Sequence, residues 1–148
     1  MDKIKLFTIG FTRKSAETFF GLLTEAGVRR VLDVRLNNTS QLAGFAKRDD
    51  LRFFLKTICG IGYVYKPELA PTEEILNEYR KKGRDWAAYR ERFIKLISDR
   101  RIEELLSRKE AHQACLLCGE ETPDHCHRRL LAEYLKEKWG NVEIVHLT

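Results

Sequence analysis

Short apolar runs alternate along this chain with longer segments in which apolar residues recur every three or four positions. The short runs predict β-strands at residues 4–9, 28–35, 61–65, 112–118 and 142–147. The longer segments predict about six helices between those strands. Such alternation is typical of an α/β protein with a parallel sheet.

Capping residues set the expected limits of these helices. Ser15 is a candidate N-cap and Gly27 a candidate stop for the first helix. Asp50 is a candidate N-cap and Gly60 a candidate stop for the second helix, and Asp85 is the candidate N-cap of a longer helix. The remaining helices are expected at residues 72–82, 102–107 and 123–138. Trp86, Tyr89, Arg90, Phe93 and Ile97 form a stripe on the longer helix that is typical of core or lid packing, with ligand binding as the alternative.

The first strand, helix and second strand fit within about 35 residues, which indicates a βαβ unit with a right-handed crossover. No repeat or linker interrupts residues 1–148, so we expect one domain. The predicted architecture is a three-layer Rossmann-like sandwich around a mostly parallel sheet of about five strands. Ligands of such sheets bind beyond the carboxyl ends of the strands. That rule collects residues 10–12, Asp33, Arg35 and residues 118–128 at one edge.

Composition narrows the classes of protein that fit. The 148 residues are 43% hydrophobic and 33% charged, and no apolar run approaches the roughly 20 residues of a membrane span. Without a secretory signal in the first residues, we expect a cytoplasmic protein whose four cysteines are thiols or ligands rather than disulfides. The net charge of +5 favours an anionic partner, either a small molecule or a nucleic acid.

Reactive side chains concentrate in residues 115–129, which hold three of the four cysteines and two of the four histidines. Thiolate and imidazole are suitable Zn²⁺ ligands. However, Cys115 and Cys118 are three apart in a predicted strand and point to opposite faces, which argues against zinc on this pair. A redox dithiol is disfavoured because such pairs are placed at a helix N-terminus, whereas this pair ends a strand. A buried structural role suits Cys115 better.

A second feature of this stretch is the positive charge at the start of its helix. Helix N-termini favour anions, so the run His127-Arg128-Arg129 is badly placed there unless an anion binds. We therefore predict a phosphate or carboxylate site in which Arg128 assists the helix N-terminus. The same environment would lower the pKa of Cys126 and make it a nucleophile, with Glu120 nearby as acid or base. In the competing structural interpretation, Arg128 pairs with an acidic neighbour and fixes the loop.

These motifs together resemble the DUF488 family, a domain of unknown function. The resemblance covers nearly the whole chain, and its most specific part is Cys-His-Arg at residues 126–128 after Cys-Gly-Glu at 118–120. The other matching segments are residues 8–12, 33–35 with Ser40 and Phe45, 60–63 and 67–69. Members commonly carry Pro and then a Ser-Arg or Ser-Lys pair after Asp-Val-Arg, whereas this chain has Asn38 and Ser40-Gln41. The resemblance implies the fold and the site but no substrate.

The resulting hypothesis is an enzyme or enzyme-like binder that acts on a nucleotide or nucleic-acid-related phosphate compound. The predicted catalytic residues are Cys126 or His127 as nucleophile or base and Glu120 or Asp33 for proton transfer. The predicted ligand-binding residues are Gly10, Thr12, Arg35, Ser40 and Arg128.

Two alternatives stay open. The first is a non-catalytic nucleic-acid-binding module that uses Lys14, residues 80–84 and Arg90 as a phosphate-contacting surface. The second is a metal-dependent hydrolase with zinc held by Cys118, Cys126 and His127; otherwise no cofactor is expected. The sequence makes no prediction of oligomeric state.

Overall fold

The computed structural model describes residues 2–39, 44–81, 83–119 and 124–148 of the chain. Five strands form one sheet: β1 (Ile4–Gly10), β2 (Arg30–Asp33), β3 (Gly62–Tyr65), β4 (Ala114–Cys118) and β5 (Val142–Leu147). Their spatial order is β3-β2-β4-β1-β5, and all pairings between them are parallel. The predicted α/β class and the five-stranded parallel sheet are therefore confirmed.

Helices cover both faces of this sheet and make it a three-layer sandwich. One apolar cluster packs α1 (Ala16–Ala26) and α2 (Arg48–Phe54) against one face. The other cluster holds the remaining helices: α3 (Glu73–Lys81), α4 (Trp86–Arg100), α5 (Ile102–Leu105), α6 (Arg108–Ala111) and α7 (His127–Trp139). Side chains alternate along β4 as the pleat requires, so Cys115 belongs to the first cluster and Cys118 to the second.

Two of the predicted N-caps and the predicted stop of the first helix are present. The Ser15 side chain accepts a hydrogen bond from the Thr18 N–H, and Gly27 ends α1 in the left-handed region at φ 78°. Asp85 caps α4 by accepting from the Ala88 N–H. These local hydrogen bonds satisfy backbone groups that a helix end would otherwise leave unpaired.

The prediction that Asp50 caps the second helix is wrong. The helix begins three residues earlier than that cap implies, at Arg48, because the Arg48 N–H donates to the carbonyl of Asn38, 2.6 Å away in the loop after β2. The helix then continues as a π-helical turn, Leu55–Cys59, before Gly60 ends it. The wider turn rotates Ile58 off the buried face, and this side chain is 66% exposed.

The last predicted boundaries also differ from the structure. The helix expected at residues 102–107 is the shorter α5, and the separate α6 that follows was not predicted. The final helix begins at His127 rather than at residue 123, and residues 120–123 lie outside the described part of the chain. In the residues that are described, no helix is both long and apolar enough to cross a bilayer.

The strand order opens a crevice beside β1 and β4. After β1 the chain continues into α1 on one face of the sheet, whereas after β4 it continues into α7 on the opposite face. Adjacent strands whose connections diverge in this way form the usual ligand site of an open α/β sheet. Gly10 and Cys118 are paired at the carboxyl ends of these two strands. The crevice therefore lies directly above Cys118.

Candidate functional site

A cavity of about 170 Å³ opens at the carboxyl edge of the sheet. Three strand ends contribute to its wall: Phe11 follows β1, Arg35 follows β2, and Cys118 with Gly119 ends β4. Cys126 and His127, at the start of α7, complete the floor. Segments far apart in sequence therefore meet here, as the strand-end rule predicts.

Cys118 and Cys126 form a disulfide across the floor of the cavity, with their Cα atoms 7.3 Å apart. The expectation that all four cysteines are thiols or ligands is therefore wrong for this pair, although Cys59 and Cys115 are free. Eight positions separate the two cysteines in sequence. The bond forms because the fold brings the end of β4 next to the start of α7. Cys115 lies on the opposite face of β4, as its spacing from Cys118 predicts.

His127 is buried at the first position of α7. Its Nε2 donates a hydrogen bond to the backbone carbonyl of Val34, 2.6 Å away, because a carbonyl oxygen only accepts. Burial lowers the pKa of His127 to about 4, although the hydrogen bond to Val34 opposes the shift. The ring is therefore neutral at pH 7, and its proton is on Nε2. The free lone pair is on Nδ1.

Arg128 is completely buried beneath the cavity and does not line it. Its Nε donates to the Thr8 hydroxyl over 3.3 Å, and its Nη1 lies 3.9 Å from the Cys118 sulfur. Thr8 in turn contacts Nδ1 of His146 at 2.6 Å. The arginine predicted to bind an anion thus links α7 to β1 and β4 and places a positive charge beside Cys118.

Asp33 is the centre of a buried hydrogen-bond network. Its Oδ1 accepts from the backbone N–H of Arg35 at 3.2 Å and from Arg35 Nε at 2.8 Å. Its Oδ2 accepts from Arg35 Nη2 at 2.9 Å, Asn38 Nδ2 at 3.2 Å and the Tyr63 hydroxyl at 2.5 Å. Burial, followed by this bond to Asp33, raises the pKa of Tyr63. The carboxylate therefore fixes the position of Arg35.

One hydrogen-bond donor of the Arg35 guanidinium has no partner among the described residues. The guanidinium packs over the Phe11 ring at 5.5 Å, and its Nη1 is buried with no hydrogen-bond acceptor among the described residues. Such a group costs about 1–3 kcal/mol when left unsatisfied. Arg35 itself forms part of the cavity wall.

Gly10 and Thr12 support the loops around the cavity. Gly10 is buried in β1, and both the N–H and the hydroxyl of Thr12 donate to the Gly119 carbonyl. Neither residue lines the cavity in the described part of the chain. Ser40 and Glu120 lie outside the described residues, so their predicted roles have no structural description.

An aromatic wall, Tyr79, Trp86, Tyr89 and His125, closes one side of the cavity. Trp86 stacks on His125 with ring centroids 4.9 Å apart and on Tyr89 with centroids 5.3 Å apart. The sequence placed Trp86 and Tyr89 on one stripe of α4, but the spacing of that stripe did not show whether it belonged to a cavity wall or to the core. Tyr79 and His125 were not predicted.

The charge of the lining is positive. Arg35 and Arg80 line the cavity, and no carboxylate does so among the described residues. Arg80 belongs to the basic run considered above as a nucleic-acid surface, but it lies at the cavity mouth. With Cys118 and Cys126 joined in a disulfide, a negatively charged ligand therefore suits this cavity better than a cation.

The floor also carries possible metal ligands. The sulfurs of Cys118 and Cys126 and a ring nitrogen of His127 all lie within 4.8 Å of one another. These three residues are the metal-capable group that the described part of the chain offers. They are the same three residues that the sequence proposes for zinc.

Comparison with known proteins supports the resemblance noted from the sequence. Residues 15–135 match the family model described as "Domain of unknown function DUF488". No curated protein and no solved structure matches the chain. The matched segment includes β2, β4, the Asp33 network and the start of α7. The chain therefore belongs to the DUF488 family.

Proposed function

We propose that this protein binds a phosphate-bearing small molecule, such as a nucleotide or a related compound, in the cavity at the carboxyl edge of the sheet. The observation that carries the proposal is the unsatisfied Nη1 of Arg35. Asp33 forms a bidentate ion pair with the other side of this guanidinium, and this pair fixes the orientation of the Arg35 side chain. A phosphate oxygen at the cavity wall would satisfy the remaining donor.

The start of α7 supports an anion at the same place. Cys126 is the N-cap residue but makes no side-chain capping hydrogen bond, and the first turn contains no acidic residue. The positive end of a long helix therefore meets the cavity without a negative side chain from that turn. Arg128 adds a buried positive charge behind it.

The aromatic wall indicates what accompanies the anion. The aromatic residues of this wall already stack on one another, and together they present apolar surface that a planar ring can contact. At about 170 Å³ the cavity holds a phosphate group and part of a planar ring, but not a whole nucleotide. The rest of such a ligand would extend past Arg80 at the mouth.

The second part of the proposal concerns catalysis at this site. Cys126 can act as a nucleophile only after its disulfide is reduced, because the thiolate is the reactive form. Neutral His127 has an unprotonated Nδ1 that can accept a proton, although a pKa of about 4 makes it a weak general base at pH 7. Asp33 acts better as the residue that positions Arg35 than as a proton carrier, since five donors already contact it. Glu120 stays a predicted acid or base.

A thermal-shift experiment tests the binding proposal with adenosine monophosphate, inorganic phosphate and adenosine as matched probes. A ligand at 100 times its Kd stabilises the folded state by about 2.7 kcal/mol, which raises Tm by roughly 5–10 °C for a chain of this size. We expect adenosine monophosphate to give such a shift, phosphate a smaller one and adenosine the least.

Variants locate the site. Arg35→Lys keeps a positive charge but removes Nη1, and Trp86→Leu removes the largest ring of the aromatic wall; both should reduce the shift by at least half. Arg90→Gln is the matched control, because Arg90 is exposed on α4 and does not line the cavity. A shift that survives Arg35→Lys and Trp86→Leu but falls with Arg90→Gln would support the exposed nucleic-acid surface instead.

A further inference from the structure

We propose that Cys118, Cys126 and His127 form a Zn²⁺ site when the disulfide between the two cysteines is reduced. Two thiolates and one imidazole are a donor set that zinc prefers over harder cations, and three protein ligands leave a fourth position open. All three residues line the cavity floor, so the open position faces the cavity. The inference rests on these ligands alone and does not require the anion proposal.

The backbone holds the two cysteines at a separation that suits a bound metal. Their Cα atoms are 7.3 Å apart, wider than the roughly 4.4–6.8 Å usual for disulfides. With Zn–S bonds of about 2.3 Å and a tetrahedral angle, two thiolate sulfurs on one zinc lie about 3.8 Å apart. Reduction therefore allows the sulfurs to separate to this distance without drawing β4 and α7 closer. A ring nitrogen of His127 is already within 4.8 Å of both sulfurs.

The surroundings of the ligands match those of metal sites. A histidine ligand usually donates its second ring N–H to a carbonyl or carboxylate, which fixes the tautomer. His127 does so through Nε2 to Val34, 2.6 Å away, and this leaves the Nδ1 lone pair for the metal. Arg128 Nη1, 3.9 Å from the Cys118 sulfur, supplies a positive donor that stabilises a thiolate there.

The redox step is a thiol–disulfide exchange. A dithiol reductant supplies two electrons and two protons; the bond between the Cys118 and Cys126 sulfurs breaks, and the reductant leaves as its own disulfide. Zinc then displaces the two thiol protons, which pass to solvent, and the metal forms two Zn–S bonds and one Zn–N bond. The oxidised protein cannot form these Zn–S bonds, so metal binding and the disulfide exclude each other.

The test is a Zn²⁺ titration of protein that has been stripped with a chelator and reduced with a dithiol, then freed of the dithiol under anaerobic conditions. Competition with a chromophoric chelator gives the affinity, and elemental analysis gives the stoichiometry. We expect one Zn²⁺ per chain, and at least about 100-fold weaker binding for Cys118→Ser and for Cys126→Ser. Cys115→Ser is the matched control, because this thiol is on the same strand but the opposite face.

A second measurement covers variants that fail to fold. Thiol alkylation of the native, reduced wild-type chain, read by mass spectrometry, should show that Zn²⁺ protects Cys118 and Cys126 while labelling of Cys59 is unchanged. The proposal fails if reduced wild-type protein binds zinc no better than the oxidised form does. It also fails if Cys118→Ser binds like Cys115→Ser, or if zinc leaves the alkylation of both site cysteines unaltered.

Discussion

The buried network around Asp33 gives the sharpest stability prediction. Asp33 is fully buried and the Arg35 side chain is 5% exposed, so their ion pair is hardly screened by water. Asp33→Asn keeps the size of the side chain but removes its charge and one acceptor oxygen. The substitution therefore leaves the Arg35 guanidinium buried without a counter-ion. It also places the NH₂ group of the asparagine against side chains that donate hydrogen bonds to Asp33.

The expected loss is large. Breaking one side of a buried, hydrogen-bonded ion pair costs about 3–5 kcal/mol, out of a typical total of about 5–15 kcal/mol. Equilibrium unfolding in urea at pH 7 measures it, and with a slope near 2 kcal/mol/M the midpoint should fall by roughly 2 M. Both proteins are compared with the disulfide intact, so that the same covalent state unfolds in each.

Asp49→Asn is the matched control. Asp49 also pairs with an arginine, Arg48, at 3.2 Å, but its side chain is 83% exposed. Exposed pairs of this kind contribute little, so we expect a change within about 0.5 kcal/mol. The description of Asp33 as a buried positioning residue is refuted if Asp33→Asn costs less than about 1 kcal/mol and cannot be told from the control.

Three further predictions concern the same network, the floor of the cavity and the first helix. Tyr63→Phe removes one hydrogen bond to the charged Asp33 and should lower the free energy of unfolding by about 1.5–3 kcal/mol in urea; a neutral result would show that the hydroxyl is not bonded there. The pKa of His127 is lowered to about 4 in the folded state, against about 6.5 unfolded, so the unfolded chain binds the proton first as pH falls. The free energy of unfolding should therefore fall by about 3 kcal/mol between pH 6.5 and pH 4. When unfolding is measured across this range, His127→Gln should remove that part of the fall. Gly27→Ala, at φ 78° with open space around the new Cβ, should cost about 1 kcal/mol, whereas Gly21→Ala inside α1 should stabilise by a similar amount; equal thermal shifts for the two would contradict this.

Local signals in the sequence predicted much of the fold. The apolar runs gave the strands because a strand in a parallel sheet is buried on both faces. Ser15 and Gly27 gave the limits of α1 because their hydrogen bonds and backbone angles are set within a few residues. The Asp50 prediction failed where a tertiary contact, the Asn38 carbonyl, overrode the local capping preference.

The site was harder to predict because its geometry comes from the fold. The strand-end rule correctly brought Arg35, Cys118 and residues 126–127 to one cavity. It could not show that Arg128 turns inward to Thr8, since arginine is usually exposed and only packing reveals the exception. The disulfide likewise depends on how β4 approaches α7, which sequence spacing does not determine.

The most direct test of the central claim is a titration of ¹⁵N-labelled protein with adenosine monophosphate, followed by NMR. The two tryptophans provide a signal at the site and a control away from it. Trp86 lines the cavity, whereas the indole N–H of Trp139 donates to the Glu103 carbonyl at the other end of α7. We predict saturable shifts of the Trp86 indole, the Arg35 Nε–H and the amides of residues 126–128, with Trp139 unchanged. Shifts that bypass these groups, or none at millimolar ligand, would contradict the assignment of the cavity as a phosphate site.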